Sequence, residues 1–198
     1  MKPMKNNVII LSLMVLFFYA CSSEPNYEFY PKPLSGQKIV FPKREYKHYH
    51  PANYRDCNYS FDIPYYSAMD TSKGNCNADL VLPPFNATLF LTYINIDTNL
   101  MYNIEYSRKL AYDHSIKADA IEEAVVKIPE NKVYGMQYKI VGNAASQYQF
   151  YVTDSVDNFL RGALYFNVKP NYDSLKPSLD YIMTDFEHLI QSIKWNNE

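Results

Sequence analysis

The stretch "YQFYVTDSVDNFLRGALYF", residues 148–166, limits the possible folds more than any other part of the chain. In its first run Phe150 and Val152 alternate with Tyr151 and Thr153, which is the two-residue period of a β-strand. The letters "TDSVDN" supply Asp, Ser and Asn side chains that favour tight turns. The stretch therefore predicts an antiparallel β-hairpin. We expect its second strand to place Leu160, Gly162, Leu164, Phe166 and Val168 on one face, and Phe159, Arg161, Ala163 and Tyr165 on the other.

One charged residue, Arg161, lies inside the second strand of this hairpin. Removing one partner of a buried ion pair is strongly destabilising, so a charge on a strand face needs an opposite charge nearby. We therefore expect Arg161 to pair with an acid such as Asp154 or Asp157. In that arrangement it stabilises the hairpin and does not bind a substrate.

The N-terminal twenty residues predict a targeting segment. "MKPMKNN" carries Lys2 and Lys5, and the thirteen uncharged residues "VIILSLMVLFFYA" are too few to span a bilayer. Ala20 before Cys21 indicates the lipoprotein type of signal peptide, in which Cys21 is lipidated and begins the mature chain. An ordinary secreted protein and a single N-terminal anchor are the alternatives. Ser22 favours an outer-membrane address.

Charge and cysteine content agree with an exported protein. Removal of Lys2 and Lys5 changes 19 basic residues against 21 acidic ones to 17 against 21, so the net charge moves from −2 to −4. This charge gives no reason to expect nucleic-acid binding.

Cys57 and Cys76 would meet an oxidising compartment, so we expect a disulfide, worth roughly 3 kcal/mol. Zinc would need four ligands, and the surrounding residues lack that spacing.

Periodicity divides the chain into a signal peptide (1–20), a lipid-anchored, Pro-rich tether (21–55) and one domain (56–198). Within the domain, several runs predict strands, and one segment between 97 and 119 predicts a helix through Leu100, Ile104, Ala111 and Ala118. The predicted fold is a single α+β domain: an antiparallel sheet, a mid-domain helix and a C-terminal amphipathic helix. The last helix keeps steps of three and four through Leu175, Leu179, Ile182, Met183, Phe186, Leu189, Ile190 and Ile193.

Three ionisable clusters are candidates for reactive sites. His114 follows Asp113, which resembles part of a hydrolase triad, but adjacent helical residues do not face each other, so we expect a partly buried, hydrogen-bonded imidazole. Glu122 and Glu123 would point to opposite faces of a strand and could not act as paired acids. The "HYH" at 48–50 is a weak metal candidate without acidic neighbours in the sequence. The sequence thus predicts no catalytic, cofactor-binding or metal site.

Two serines are candidates for O-glycosylation. "DSV" at Asp154 and "DSL" at Asp173 resemble the Asp-Ser/Thr-apolar sites that Bacteroidetes bacteria glycosylate in exported proteins. This makes Ser155 and Ser174 possible acceptors. Turn and helix-cap chemistry explains the same residues equally well.

Four segments together resemble one family: "LAYDHSIKADAI", "KVYGMQYKIVGNAAS", "QFYVTDSVDNFLRGALYFNVKPNYDSL" and "HLIQSIKW". The chain is similar to the gliding motility lipoprotein GldD family of Bacteroidetes, from the signal peptide to Trp195. Asn58 and Gln147 stand where many relatives are expected to have proline. The order of elements is also similar to the Mog1/PsbP-like α/β sandwich, a looser likeness that concerns the fold alone.

The resemblance implies a role in the cell-envelope machinery of gliding, which is coupled to type IX secretion. It transfers no catalytic residues, so we expect a non-enzymatic accessory or assembly factor that contacts other envelope proteins of this machinery. Its anchor would be Cys21 with diacylglycerol and palmitate, in the outer membrane and on the periplasmic face. Two alternatives remain: a small hydrolase centred on His114, and a module that binds an envelope glycan or other ligand through exposed tyrosines.

Overall fold

The structure of the chain is a computed structural model, and it describes residues 40–51 and 57–196. The predicted signal peptide, Cys21 and the tether as far as residue 39 lie outside the described residues. Neither of the helices within these ranges is long and apolar enough to cross a membrane.

The described residues form ten β-strands and two α-helices, joined in places by single turns of 3₁₀-helix. The helices are α1 (Leu100–Tyr112) and α2 (Tyr172–Gln191). The strands are β1 (Tyr46–Tyr49), β2 (Tyr59–Pro64), β3 (Ala68–Asp70), β4 (Ala78–Leu82), β5 (Ala87–Asn95), β6 (Ala118–Ile128), β7 (Val133–Gly142), β8 (Ser146–Thr153), β9 (Asn158–Phe166) and β10 (Lys194–Trp195).

The strands form two antiparallel sheets. The larger has seven strands in the order β3-β4-β5-β9-β8-β7-β6, and the smaller has three in the order β1-β2-β10. The predicted hairpin is confirmed as β8 and β9, which lie in the middle of the large sheet. The predicted α+β fold is likewise confirmed, and the small sheet is present in addition to the one predicted.

Helix α2 and the small sheet cover one face of the large sheet, where the main core lies. Leu160 and Leu164 of β9 and Phe150 and Val152 of β8 are essentially inaccessible there. The alternation read from the sequence is therefore confirmed within β8 and β9, but the expected place of Val168 on this face is wrong, because β9 ends at Phe166 and Val168 is exposed. Helix α2 contributes most of the predicted stripe; Ile193 follows the end of the helix. The fully buried members of the stripe are Leu179, Ile182, Phe186, Leu189, Ile190 and Ile193.

Gly162 permits the closest packing in this core. It pairs with Phe150 across the hairpin, and a Cβ added at Gly162 would lie 2.2 Å from Cε1 of that ring. A ring buried within the sheet cannot retreat from such a contact without displacing its neighbours. Glycine at this position is therefore required by the size of Phe150.

We predict that Gly162→Ala lowers the free energy of unfolding by about 1–3 kcal/mol, the usual cost of overpacking a core. Urea denaturation of the purified chain measures this change. The matched test is Gly162→Ala combined with Phe150→Leu, where the smaller side chain removes the clash. The double variant should lose less than the sum of the single losses; additive losses would contradict the packing argument.

The β8–β9 turn is held by Asp154. Its Oδ1 accepts the backbone N–H groups of Val156, Asp157 and Asn158 at 2.9–3.0 Å, and its Oδ2 accepts the side-chain amide of Asn158. Burial by itself raises the pKa of Asp154, but these hydrogen bonds outweigh it and hold the pKa below its usual value. The ionised carboxylate therefore stabilises the turn.

We predict that Asp154→Asn destabilises the fold by about 1–3 kcal/mol at pH 7, because an amide donor would face the Asn158 amide donor. The folded pKa lies below the unfolded value of about 3.9, so this stabilisation is complete above that value. It disappears as the pH falls through the folded pKa. The gap between wild type and variant, measured by urea titration, should close below about pH 4; a constant gap would contradict the prediction.

The N-terminal strap, residues 40–49, packs on α2 and β2. Phe41 stacks on Tyr181 with ring centroids 4.6 Å apart, and Arg44 Nε lies 3.4 Å from Oδ1 of the fully buried Asp185. Tyr46 donates to the same carboxylate at 2.8 Å. Burial, followed by this hydrogen bond, raises the pKa of Tyr46 to about 12, so its hydroxyl remains a donor at physiological pH. Strand β1 thus lies inside the segment that the sequence predicts as a tether.

Candidate functional site on the α1 face of the large sheet

The second face of the large sheet is covered by α1 through a largely polar stripe. Asn103, Ser107 and Ala111 are the buried residues of this helix, whereas Leu100 and Ile104 are only partly buried. The sequence predicted an apolar stripe that continued to Ala118, and this part is wrong because α1 ends at Tyr112 and Ala118 begins β6. The sheet beneath α1 is mixed: Tyr138, Tyr151 and Phe159 form a buried apolar cluster with Ala111, and Arg161 pairs with Tyr151 in the β8–β9 ladder.

Arg161 is the charged residue of that surface. It lies between Thr92 of β5 and Tyr151 of β8, and its Nη2 donates to Gln149 Oε1 at 2.7 Å. The expected ion pair with Asp154 or Asp157 is not formed, and no carboxylate within residues 40–51 and 57–196 pairs with this guanidinium. The physical reason is that the carboxylate of Asp154 binds its own turn.

Two buried donors remain beside this hydrogen bond. Gln149 is 2% exposed, and its Nε2 finds no hydrogen-bond partner among the described residues. The same holds for Nε of Arg161 in the part of the chain that the structure covers. Gln149 could have been found from the sequence, because it lies two residues before Tyr151 on the same strand face.

Burial dominates the electrostatics of this region. It lowers the pKa of Arg161, against the opposing influence of Tyr165 and Tyr106. It also lowers the pKa of His114, with Asp113 opposing and Arg161 reinforcing the change. The neutral imidazole of His114 is therefore favoured at neutral pH, and the positive charge of Arg161 contributes to this effect.

His114 has no triad geometry. It lies in the 3₁₀ turn after α1, and the neighbouring Asp113 carboxylate accepts from Lys109 at 2.8 Å instead of orienting the imidazole. The imidazole is partly buried, as the sequence predicted.

The paired glutamates are also separated as expected. Glu123 accepts from Tyr112 of α1 at 2.9 Å, while Glu122 approaches Lys139 at 3.9 Å. Lys139 also approaches Asp180 of α2, so the two glutamates serve opposite faces of the large sheet. Carboxylates on opposite faces cannot share one substrate.

The histidines at 48 and 50 lie away from this face. His48 Nδ1 contacts Asp62 Oδ1 at 2.9 Å, and His188 Nε2 contacts the other oxygen at 3.3 Å. His50 is exposed. Across the described ranges, no three His, Cys, Asp or Glu residues are grouped so that they could hold a metal ion.

The outer surface of α1 exposes large apolar side chains, which we call the α1 surface. Tyr102 and Tyr106 stack with centroids 5.9 Å apart, and Met101 and Tyr102 are 67% and 68% exposed. Beside it, Ile104, Val125 and Met136 line part of a groove of about 290 Å³ between α1 and strands β6 and β7. The complete α1 surface consists of Met101, Tyr102, Tyr106, Tyr112 and Ile116.

The remaining predicted sites are dispersed. Cys57 and Cys76 form a disulfide with Cα atoms 5.3 Å apart, beside the main core. Ser155 is exposed in the β8–β9 turn with a φ of 68°, and Ser174 is exposed in the first turn of α2. Their O-glycosylation stays a prediction, as does lipidation of Cys21, which lies outside the described residues.

Fold and surface together define a disulfide-bonded α+β sandwich domain with exposed aromatic side chains on α1. The family model described as gliding motility lipoprotein GldD matches residues 26–195. The chain therefore belongs to the GldD family of gliding motility lipoproteins, which confirms the resemblance found in the sequence. Membership assigns it to the cell envelope and to a role in gliding motility. A comparison with curated proteins gives no match.

We predict that Arg161→Met combined with Gln149→Leu leaves the free energy of unfolding unchanged or increases it. Replacing both partners of a hydrogen bond by apolar groups of similar shape is nearly neutral or stabilising, and here a partly buried charge also disappears. Thermal and urea unfolding of the purified chain measure the change. A loss of more than about 2 kcal/mol would show that this pair stabilises the fold.

Proposed function

We propose that this chain is a lipid-anchored accessory or assembly factor of the gliding machinery and its associated type IX secretion system. It acts through protein contacts and not through catalysis. Family membership supports the gliding role. The observation that carries the contact role is the α1 surface, where five large apolar side chains are between 40% and 87% exposed.

Tyrosine and methionine are enriched at protein interfaces because they supply large contact areas. Tyr102 and Met101 are adjacent at the beginning of α1 and both lie mainly in solvent. The neighbouring groove offers an apolar recess for a partner side chain, with Val125 at its edge 72% exposed. A protein of the gliding or secretion machinery is the partner that the family assignment favours.

The position of the strap supports an orientation. Residues 40–49 pack against α2 on one side of the large sheet, whereas α1 covers the other side. The chain that leads from the lipidated Cys21 would enter the domain on the α2 side. The α1 surface would then be available for contact, with the anchor in the outer membrane and the domain on its periplasmic face.

We predict that Met101→Ser combined with Tyr102→Ser abolishes or strongly reduces gliding while the protein keeps its normal abundance and melting temperature. Both side chains lie mainly in solvent, so their replacement removes contact area without opening the core. Colony spreading and single-cell tracking measure the effect in cells that carry only the variant copy.

The matched control is Tyr65→Ser, because Tyr65 is 64% exposed but lies between β2 and β3, away from α1. The control should glide normally. A photo-crosslinking residue at position 102 should capture components of the gliding or secretion machinery, identified by mass spectrometry. Normal gliding by the Met101/Tyr102 variant, or crosslinks to glycan alone, would contradict the proposed protein contact.

A further inference from the structure

We propose that Arg161 and Gln149, beneath α1, form a binding site for a carboxylate. We call these two residues the Arg161 cluster. The site does not depend on the proposed function, because binding of a small carboxylate to this chain alone would establish it.

The charge balance of the cluster is the first argument. A guanidinium removed from water needs an opposite charge or a full set of acceptors. Arg161 is partly buried, yet its single hydrogen bond is to a neutral amide oxygen. The side chains that act on the pKa of Arg161 are Tyr165 and Tyr106, and neither is a carboxylate. Within the described residues, no carboxylate therefore balances the guanidinium charge of Arg161.

The arrangement of donors is the second argument. Arg161 Nε and Gln149 Nε2 are both buried N–H donors without acceptors among the described residues. Gln149 Oε1 holds Nη2 of the same guanidinium, so the two side chains are joined and their remaining donors belong to one site. Two donors from adjoining side chains suit the two oxygens of a carboxylate, which accepts charge-assisted hydrogen bonds.

The space around these donors is the third argument. Gln149 pairs with Ala163 in the β8–β9 ladder, and Ala163 lies two residues after Arg161 on the same face. Ala163 is buried and presents only a methyl group beside the two longer side chains. The covering stripe of α1 presents Asn103 and Ser107, not the apolar residues that would normally close a core. Asn103 and Ser107 therefore add polar side chains to a contact whose other members include the buried Tyr151 and Phe159.

The predicted ligand is a carboxylate from one of two sources: an Asp or Glu side chain of a protein partner, or a small free carboxylic acid. The probe for both is acetate, added to the full-length chain in detergent micelles. The chain has only four arginines, at positions 44, 55, 108 and 161, so ¹⁵N-arginine labelling gives few Nε–Hε signals. Arg161→Lys assigns the signal of interest by removing it.

We expect acetate to shift the Arg161 Nε–Hε signal saturably, with a Kd on the order of millimolar, as is usual for so small a ligand. Sodium chloride at equal ionic strength should not do so. Arg108→Lys is the matched control and should leave the response intact, whereas Arg161→Met with Gln149→Leu should abolish protection by acetate against thermal unfolding. Equal responses to acetate and chloride, or none to acetate, would overturn the proposal.

Gln149→Glu gives an independent test, because it places a carboxylate beside Arg161 with almost no change in shape. We expect its melting temperature to rise by about 2–4 °C and its response to acetate to disappear. A lower melting temperature together with an unchanged acetate response would overturn the proposal.

Crosslinking in cells and extraction of the purified chain distinguish the two sources of the carboxylate, a partner side chain and a free acid. A photo-crosslinking residue at Tyr106 should join the chain to a protein whose crosslink is lost in Arg161→Gln, if a partner side chain fills the site. If acetate binds in vitro but extraction of the purified chain yields a small carboxylic acid and no protein crosslink depends on Arg161, the free acid is the ligand. Either result supports the site, and both can be obtained whether or not the Met101/Tyr102 variant glides.

Discussion

Pairing of β8 with β9 in the middle of the large sheet is the constraint from which the rest of the structure follows. Because side chains alternate along both strands, one face of the pair is apolar and the other carries Gln149 and Arg161. The apolar face can be covered by an amphipathic helix, and α2 is that helix. The other face is covered by α1, which buries Asn103 and Ser107 beside an apolar cluster that includes Tyr151 and Phe159. The two faces of the sheet therefore differ in the chemistry of the side chains they bury.

Much of this division could be predicted from the sequence. Alternation in 148–166 predicted the hairpin and its two faces, and steps of three and four predicted α2, because burial on one face dictates both periods. The disulfide followed from the compartment, and the separation of Glu122 from Glu123 followed from strand geometry. Each of these inferences used only local geometry and the burial of apolar side chains.

The partners of polar side chains could not be predicted in the same way. Asp154 lies near Arg161 in sequence, but its carboxylate instead accepts hydrogen bonds from three backbone N–H groups of its own turn. Competition of this kind depends on turn geometry that composition does not reveal. Likewise, α1 was predicted from its apolar positions, whereas its buried stripe is set by what lies under it. The contacts of Asp185 could not be predicted from the sequence, because its partners Arg44 and Tyr46 are distant in the chain.

The strap also has a mechanical consequence. A pull transmitted along the chain from upstream of Val40 reaches the Phe41–Tyr181 stack first, then the Arg44 and Tyr46 contacts with Asp185, and only afterwards the β1–β2 ladder. These contacts all end on α2, whose apolar stripe lies against β8 and β9. Load is therefore spread over the main core before any sheet strand is peeled away. The α1 side, with the Arg161 cluster, lies outside this path and can keep its shape while the opposite side is under tension.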